Sequence, residues 1–149
     1  MLPLATSSWD EEEYEAIQRV VKSDRFTMGP EVEAFEKEFA EFFGTKFAVM
    51  SNSGSSANLL VIAALLHSKR HDISAGDEVI VPAVSWSTTY YPLHQYNLKM
   101  KFVDIDKKTL NIDLEKLEGA ITEKTKMVLA VNLLGNPVDF GRLQEICER

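Results

Sequence analysis

The sequence predicts an α/β fold in which helices cover both faces of a mainly parallel sheet. Three observations carry this. Short apolar runs with strand character recur at 46–50, 77–82, 99–103 and 126–131. Helical patterns fill the intervals between them, and strands alternating with helices imply parallel pairing. The last run, Lys126-Met127-Val128-Leu129-Ala130-Val131, is nearly continuous in apolar character, as expected of a strand buried on both faces.

In chain order, Ser8-Trp9-Asp10-Glu11 fits a capping box, with Ser8 as N-cap and Glu11 reaching back. Tyr14, Ile17 and Val20/Val21 then mark one helical face, which should end near Ser23-Asp24. Arg25 to Gly29 reads as a loop, and Pro30 suits the first turn of a second helix. There Val32, Phe35, Phe39 and Phe42/Phe43 recur at helical spacing, six charged residues cover the other faces, and Gly44 stops the helix. Residues 1–44 thus form an N-terminal helical segment, and 45–149 begin the α/β part. Lys46–Met50 is the first expected strand, followed by small residues and a buried helix from Ala57 to Leu66. Residues 68–76 read as a surface loop. The strand at 77–82 delivers a segment around Trp86 in which a helix starts and runs towards Tyr96, with Asn97 as its stop. A third strand at 99–103 ends in Asp104-Ile105-Asp106. Asp113 caps a helix carrying Leu114, Leu117 and Ile121, the fourth strand follows, and a last helix begins near Asp139.

Composition narrows the function. The chain has 149 residues, is 45% hydrophobic and carries a formal net charge of −7, which suits a globular domain better than a nucleic-acid binder. Cys147 is the single cysteine, so no internal disulfide forms, which fits a cytoplasmic setting. The longest apolar run, Leu59 to Leu66, is far short of the ~20 residues of a membrane helix. His67, His71 and His94 are scattered and read as surface residues, and no Cys/His spacing suggests a metal.

The chain is organised around Met50-Ser51-Asn52-Ser53-Gly54-Ser55-Ser56-Ala57-Asn58. A small-residue turn opening a helix makes an anion site, because free N–H groups and the helix dipole face the ligand. Gly54 allows close approach, and Ser55 and Ser56 add hydroxyls. The same pattern also serves a helix that is merely capped by Ser53 or Ser55. In parallel sheets ligands bind beyond the carboxyl ends of strands, and three segments leave there: this cup, the Trp86 loop and the Asn132 loop. No Gly-x-Gly-x-x-Gly follows a strand and no Gly-Lys-Ser/Thr follows a glycine-rich loop, which argues against dinucleotides and nucleoside triphosphates. A phosphate cup with an aromatic thirty residues on suits a small planar phosphorylated cofactor, pyridoxal or pyridoxamine phosphate, with Trp86 stacked on its ring. Trp86 fits a core or interface tryptophan equally well.

Thr27-Met28-Gly29, Ser53-Gly54-Ser55-Ser56-Ala57-Asn58, Gly76-Asp77-Glu78-Val79-Ile80-Val81-Pro82, Phe102-Val103-Asp104-Ile105-Asp106 and Asn132-Leu133-Leu134-Gly135-Asn136 stand in an order that resembles the DegT–StrS group of pyridoxal-phosphate sugar aminotransferases and dehydratases. The resemblance runs from about Pro3 to Asp139. Val81 to Leu93 and Asn111-Ile112-Asp113 are most similar to its GDP-sugar 3-dehydratase branch. A related CDP-sugar branch carries an iron–sulfur cluster, which one cysteine neither supports nor excludes.

The resemblance implies an aspartate-aminotransferase-type (fold type I) large domain, of which this chain is expected to be the first part, and a homodimer with the site at the subunit interface. It implies that Gly54, Ser55 and Ser56 bind the cofactor phosphate, that Trp86 stacks on the ring and that Asn132 lies beside it. It implies that a pyridoxamine-form enzyme, regenerated by glutamate, removes the 3-hydroxyl of a nucleotide-linked 4-keto-6-deoxy sugar in deoxysugar or O-antigen synthesis. The alternative is a nucleotide-sugar aminotransferase. The two differ at one residue, histidine or lysine, expected beyond Arg149, so no catalytic base is assigned within the chain; Lys99, Lys101 and Lys126 flank or begin strands and do not replace it. A non-catalytic binding domain is the reading of another class.

Overall fold

The computed structural model describes residues 6–149. Residues 1–5, which hold Pro3 and the start of the 1–44 segment, lie outside the described residues. The chain divides into two compact units, Met1–Ser51 and Asn52–Arg149. No described helix is long and apolar enough to cross a membrane.

The first unit contains α1 (Glu11–Ser23) and α2 (Pro30–Phe43). α1 is capped by Asp10, not by Ser8 as expected. Asp10 Oδ1 accepts the Glu12 N–H at 2.9 Å, while the Asp10 N–H donates to Glu13 Oε2 at 2.8 Å. The Asp10–Glu13 pair repeats the capping-box spacing two residues downstream, and a carboxylate meets the helix dipole better than a hydroxyl. α2 starts with Pro30 in its first turn and closes on Gly44 at φ 64, a left-handed backbone that glycine adopts without strain. Phe35, Phe39 and Phe43 line one side of α2, with successive ring centroids 5.5 and 4.6 Å apart. Ala40 is the one buried residue in the two helices.

Residues 46–50 do not form the expected strand: Lys46 is a bend, and 47–50 carry no regular structure. A strand exists only as a member of a ladder. Here the Met50 N–H goes to Glu36 Oε1 at 2.8 Å instead, and Phe47 and Val49 are exposed.

The second unit contains α3 (Gly54–His67), β1 (Glu78–Pro82), α4 (Ser87–Gln95), β2 (Lys99–Val103), α5 (Leu114–Ala120), β3 (Thr125–Val128) and α6 (Phe140–Glu148). Its sheet has the order β2-β1-β3, and both pairings are parallel. Val79 and Val81 point to one face, where Ile62 of α3, Leu93 of α4 and Leu98 pack on them. Ile80 points to the other face and packs with Val103, Ile112, Leu117 of α5 and Ile146 of α6. The alternation along β1 thus builds two cores on one central strand. Val79, Ile80, Val81, Leu93 and Leu117 are wholly buried, each contributing roughly 1.5–3 kcal/mol.

Two expectations change here. β3 stops at Val128 and is half-buried rather than buried on both faces, because it lies at the margin of this three-stranded sheet. α3 buries only Ile62 completely, and Leu60 and Val61 are exposed. Its apolar character runs all round, but only one side meets the sheet.

Candidate functional site

Two of the candidate site residues, Trp86 and Asn132, follow the carboxyl ends of strands. β1 is central, and its exit leads to α4 on one face, whereas the exit of β3, its neighbour, leads to α6 on the opposite face. Two adjacent strands whose connections part to opposite faces open a crevice, the usual ligand position in such sheets. Trp86 lies on the first exit and Asn132 on the second.

The cup lies at the same edge. Ser53 caps α3: its Oγ accepts the Ser56 N–H at 3.1 Å, and its carbonyl accepts the Ala57 N–H at 3.0 Å. The capping expectation is therefore met. The N–H groups of Gly54 and Ser55 have no hydrogen-bond partner among the described residues, and both residues are exposed. These are the first two of the orphan donors that open every helix. A Cβ placed on Gly54 would meet nothing within 4 Å, so the protein's own packing does not require glycine there.

Asn58, one turn into α3, donates from Nδ2 to the Thr88 carbonyl at 3.3 Å. This bond holds the head of α3 against the head of α4. Between the two lies a cavity of about 200 Å³ lined by Ser55, Ser56, Leu59, Thr88, Tyr91 and Gln95, among others. Trp86 is the N-cap residue of α4 and is 75% exposed, so it is not a core tryptophan of this unit. Its loop is pinned from below. Tyr90 Oη donates to the Pro82 carbonyl at 2.7 Å, Ser85 Oγ and Thr89 Oγ1 are 2.9 Å apart, and the Thr89 N–H donates to the Trp86 carbonyl at 2.9 Å. Burial pushes the Tyr90 phenol up from its ordinary value, partly offset by Ser85, so it stays protonated and serves as a donor.

Asn132 is exposed, and its Oδ1 accepts the Val138 N–H at 3.0 Å. Its amide oxygen is thereby committed to the loop, while its Nδ2 makes no hydrogen bond among the described residues. The loop itself is held by Asn111, 4% exposed, which donates to the Asn136 carbonyl at 3.0 Å and accepts the Leu133 N–H at 3.2 Å. No hydrogen bond joins Asn132 to the cup or to Trp86 among the described residues.

Other polar groups are already occupied. Asp104, held low by the Lys116 ammonium at 2.9 Å, and Asp106, held low by the Thr109 and Lys108 N–H groups, are bound into their own loop. A cavity of about 290 Å³ lined by Asp106, Asp113, Asp139 and Arg142 is walled by carboxylates that cap α5 and α6. Lys101 donates to the Ala120 carbonyl at 2.6 Å and Lys126 pairs with Asp72 at 3.3 Å, so neither is a free amine at the crevice.

Asn58, Tyr90, Thr89 and Asn111 were not singled out as site residues from the sequence. Asn58 carried a signal: it is the one polar residue in the apolar run 57–66. The bonding of the others spans strand, loop and helix and leaves no periodic trace.

The profile described as the DegT/DnrJ/EryC1/StrS aminotransferase family matches residues 7–149. The GDP-4-keto-6-deoxy-D-mannose 3-dehydratase of Yersinia pseudotuberculosis is 65% identical over 146 residues, 98% of this chain and 37% of its own length. The structure of E. coli GDP-4-keto-6-deoxy-D-mannose-3-dehydratase with bound hydrated PLP superposes with a TM-score of 0.93 at 59% identity, over 98% of this chain and 38% of that one. A GDP-4-keto-6-deoxymannose-3-dehydratase with a trapped PLP-glutamate geminal diamine gives a TM-score of 0.92 at 60% identity, over 97% and 37% of the respective chains. The chain thus spans a little over a third of the length of these relatives.

Proposed function

The chain belongs to the DegT/DnrJ/EryC1/StrS aminotransferase family, and from that premise we propose that it forms the cofactor-cradling part of a pyridoxal-phosphate enzyme that removes the 3-hydroxyl from a nucleotide-linked 4-keto-6-deoxy sugar. Glutamate is the amino donor, the working state is a cytoplasmic homodimer, and residues 45–149 open the large domain behind the helical segment 1–44. The observation that carries this reading is the pair of unpartnered N–H groups on Gly54 and Ser55 at the head of α3, beside the Trp86 loop.

The residues fit the group. The Gly54 and Ser55 N–H groups with the Ser55 and Ser56 hydroxyls are donors for a phosphate, and the dipole of α3 favours its charge. The exposed Trp86 ring offers a face for an aromatic ring. Asn132 Nδ2 supplies a donor at the opposite side of the crevice. When bound, the cofactor supplies the electron sink for proton removal and hydroxyl loss. The chain's own residues at the crevice bind and orient.

A nucleotide-sugar aminotransferase is the second reading, favoured by the family's own description. One experiment separates the two. The full natural protein is incubated with glutamate, pyridoxal phosphate and a GDP-linked 4-keto-6-deoxy sugar, and the product is weighed. Loss of one oxygen with the keto group retained marks a dehydratase; an amine in place of the keto group marks an aminotransferase. No product and no pyridoxal-type absorbance would leave a non-catalytic binding domain.

A further inference from the structure

We propose that Asn58 is a positioning residue that couples the phosphate cup to the stacking shelf, by hydrogen-bonding the head of α3 to the head of α4. The inference rests on the proposed cofactor reading and goes one step further, to how the two halves of the cradle keep their separation.

The two halves arise from different parts of the chain. The cup is the first turn of α3, and the shelf is Trp86 at the start of α4. Each half is held by bonds of its own. The cup is closed by Ser53, and the Trp86 loop is pinned by Tyr90, Ser85 and Thr89. The helices share the core further along through Ile62 and Leu93, but at their heads a cavity of about 200 Å³ intervenes, and Leu59 and Tyr91 on its walls are exposed. Across that gap the Asn58 amide to the Thr88 carbonyl, at 3.3 Å, is the polar tie between α3 and α4 among the described residues. Thr88 is two residues from Trp86, and Asn58 is two residues from Ser56. A ligand that uses both cup and shelf senses their spacing; a ligand that uses the cup alone does not.

That asymmetry defines the test. Pyridoxamine phosphate spans both halves, and inorganic phosphate occupies only the cup. In the full natural protein, Asn58→Ala and the volume-conserving Asn58→Leu should each weaken pyridoxamine phosphate binding about three- to tenfold, the effect of losing one partly exposed hydrogen bond. The induced circular dichroism of the saturated cofactor should fall, since its ring is less firmly held. Competition by inorganic phosphate should change less than about twofold on the same scale. In a Trp86→Ala background, Asn58→Ala should then have little further effect, as expected of coupled residues.

Equal loss of phosphate and cofactor affinity would overturn the inference by placing Asn58 in the cup alone. So would wild-type cofactor binding by both variants, additive losses with Trp86→Ala, or collapse of the far-ultraviolet spectrum in both variants. If the unaltered protein binds phosphate but no pyridoxamine phosphate, the cofactor reading itself fails and this inference falls with it.

Discussion

The two edges of the sheet are built in opposite ways. At the amino edge Glu78, Lys101 and the Lys99 N–H all have protein partners, while the exposed Lys99 ammonium has none among the described residues. Glu78 Oε1 accepts the Thr125 hydroxyl at 2.7 Å and the Thr122 hydroxyl at 3.4 Å, with Lys101 Nζ 4.0 Å away. Lys101 in turn donates to the Ala120 carbonyl, and the Lys99 N–H donates to the Asp77 carbonyl at 2.8 Å. At the carboxyl edge the Gly54 and Ser55 N–H groups have no partner among the described residues, and Trp86 is exposed. A closed edge spends its polar groups on stability. An open edge keeps them for something else. Orphan donors open every helix, so the Gly54 and Ser55 N–H groups mark a place to seek a ligand only together with the exposed Trp86 beside them.

The comparison breaks most visibly at Trp86. Trp86→Ala should weaken pyridoxamine phosphate binding by the full protein roughly 10- to 100-fold, because ring burial and stacking are both lost. Thermal stability should stay within about 0.5 kcal/mol, since the ring covers no core of its own unit. A large drop in melting temperature with unchanged affinity would make Trp86 a structural residue and the edge an ordinary surface.

Gly54→Ala sharpens the contrast, because the two readouts should move in opposite directions. The added Cβ meets nothing within 4 Å in the protein and the backbone φ is not left-handed, so folding should be unharmed or improved by up to about 1 kcal/mol. A bound phosphate resting on the Gly54 N–H would meet that Cβ, and cofactor affinity should fall about tenfold, some 1.4 kcal/mol. If affinity is unchanged, the phosphate does not approach α3 there.

How much of this the sequence made legible follows from the range of each interaction. Helix starts and stops depend on neighbours within four residues, and Pro30, Gly44, Asp113 and Asp139 mark theirs plainly. Even the error at Ser8 is local, since two overlapping box patterns compete and the carboxylate wins. Strand character at 46–50 is equally local, but a strand needs a partner far along the chain, and that cannot be read from five residues. The apolar run of α3 gave the helix but not its burial, because burial depends on what lies opposite each face. The cup, expected to leave a strand at 46–50, follows none, but that Trp86 and Asn132 leave the sheet at one edge was readable from topology alone, as parallel strands put all their exits on one side. The bonds that fix those exits were not. Asn58 reaches Thr88 across thirty residues and Asn111 reaches Asn136 across twenty-five; Asn58 stands out in its apolar run, but nothing local names either partner.

The smallest effects belong to the closed edge and test whether it is closed for stability. Glu78→Gln keeps the shape of the side chain but weakens its bonds to Thr125 and Lys101, and should cost about 1 kcal/mol with no change in cofactor affinity. The pH dependence gives a stricter check. The Thr125 hydroxyl, opposed by burial and helped by Lys101 and Thr122, holds the Glu78 carboxyl below its ordinary value of 4.5. A lowered folded value means that the ionised form is favoured by folding. Its contribution is fully present above the unfolded value and is lost as pH falls through the folded one. Asp104 and Asp106 are lowered too, so the stability of the unaltered protein should fall with acid for three reasons at once. Those two titrate alike in Glu78→Gln, and the difference between the two stability curves isolates Glu78. It should be flat above about pH 5 and shrink towards zero below the ordinary carboxylate value. A difference that persists unchanged into acid would mean that the charge of Glu78 contributes nothing, and that the closed edge is held by its neutral hydrogen bonds alone.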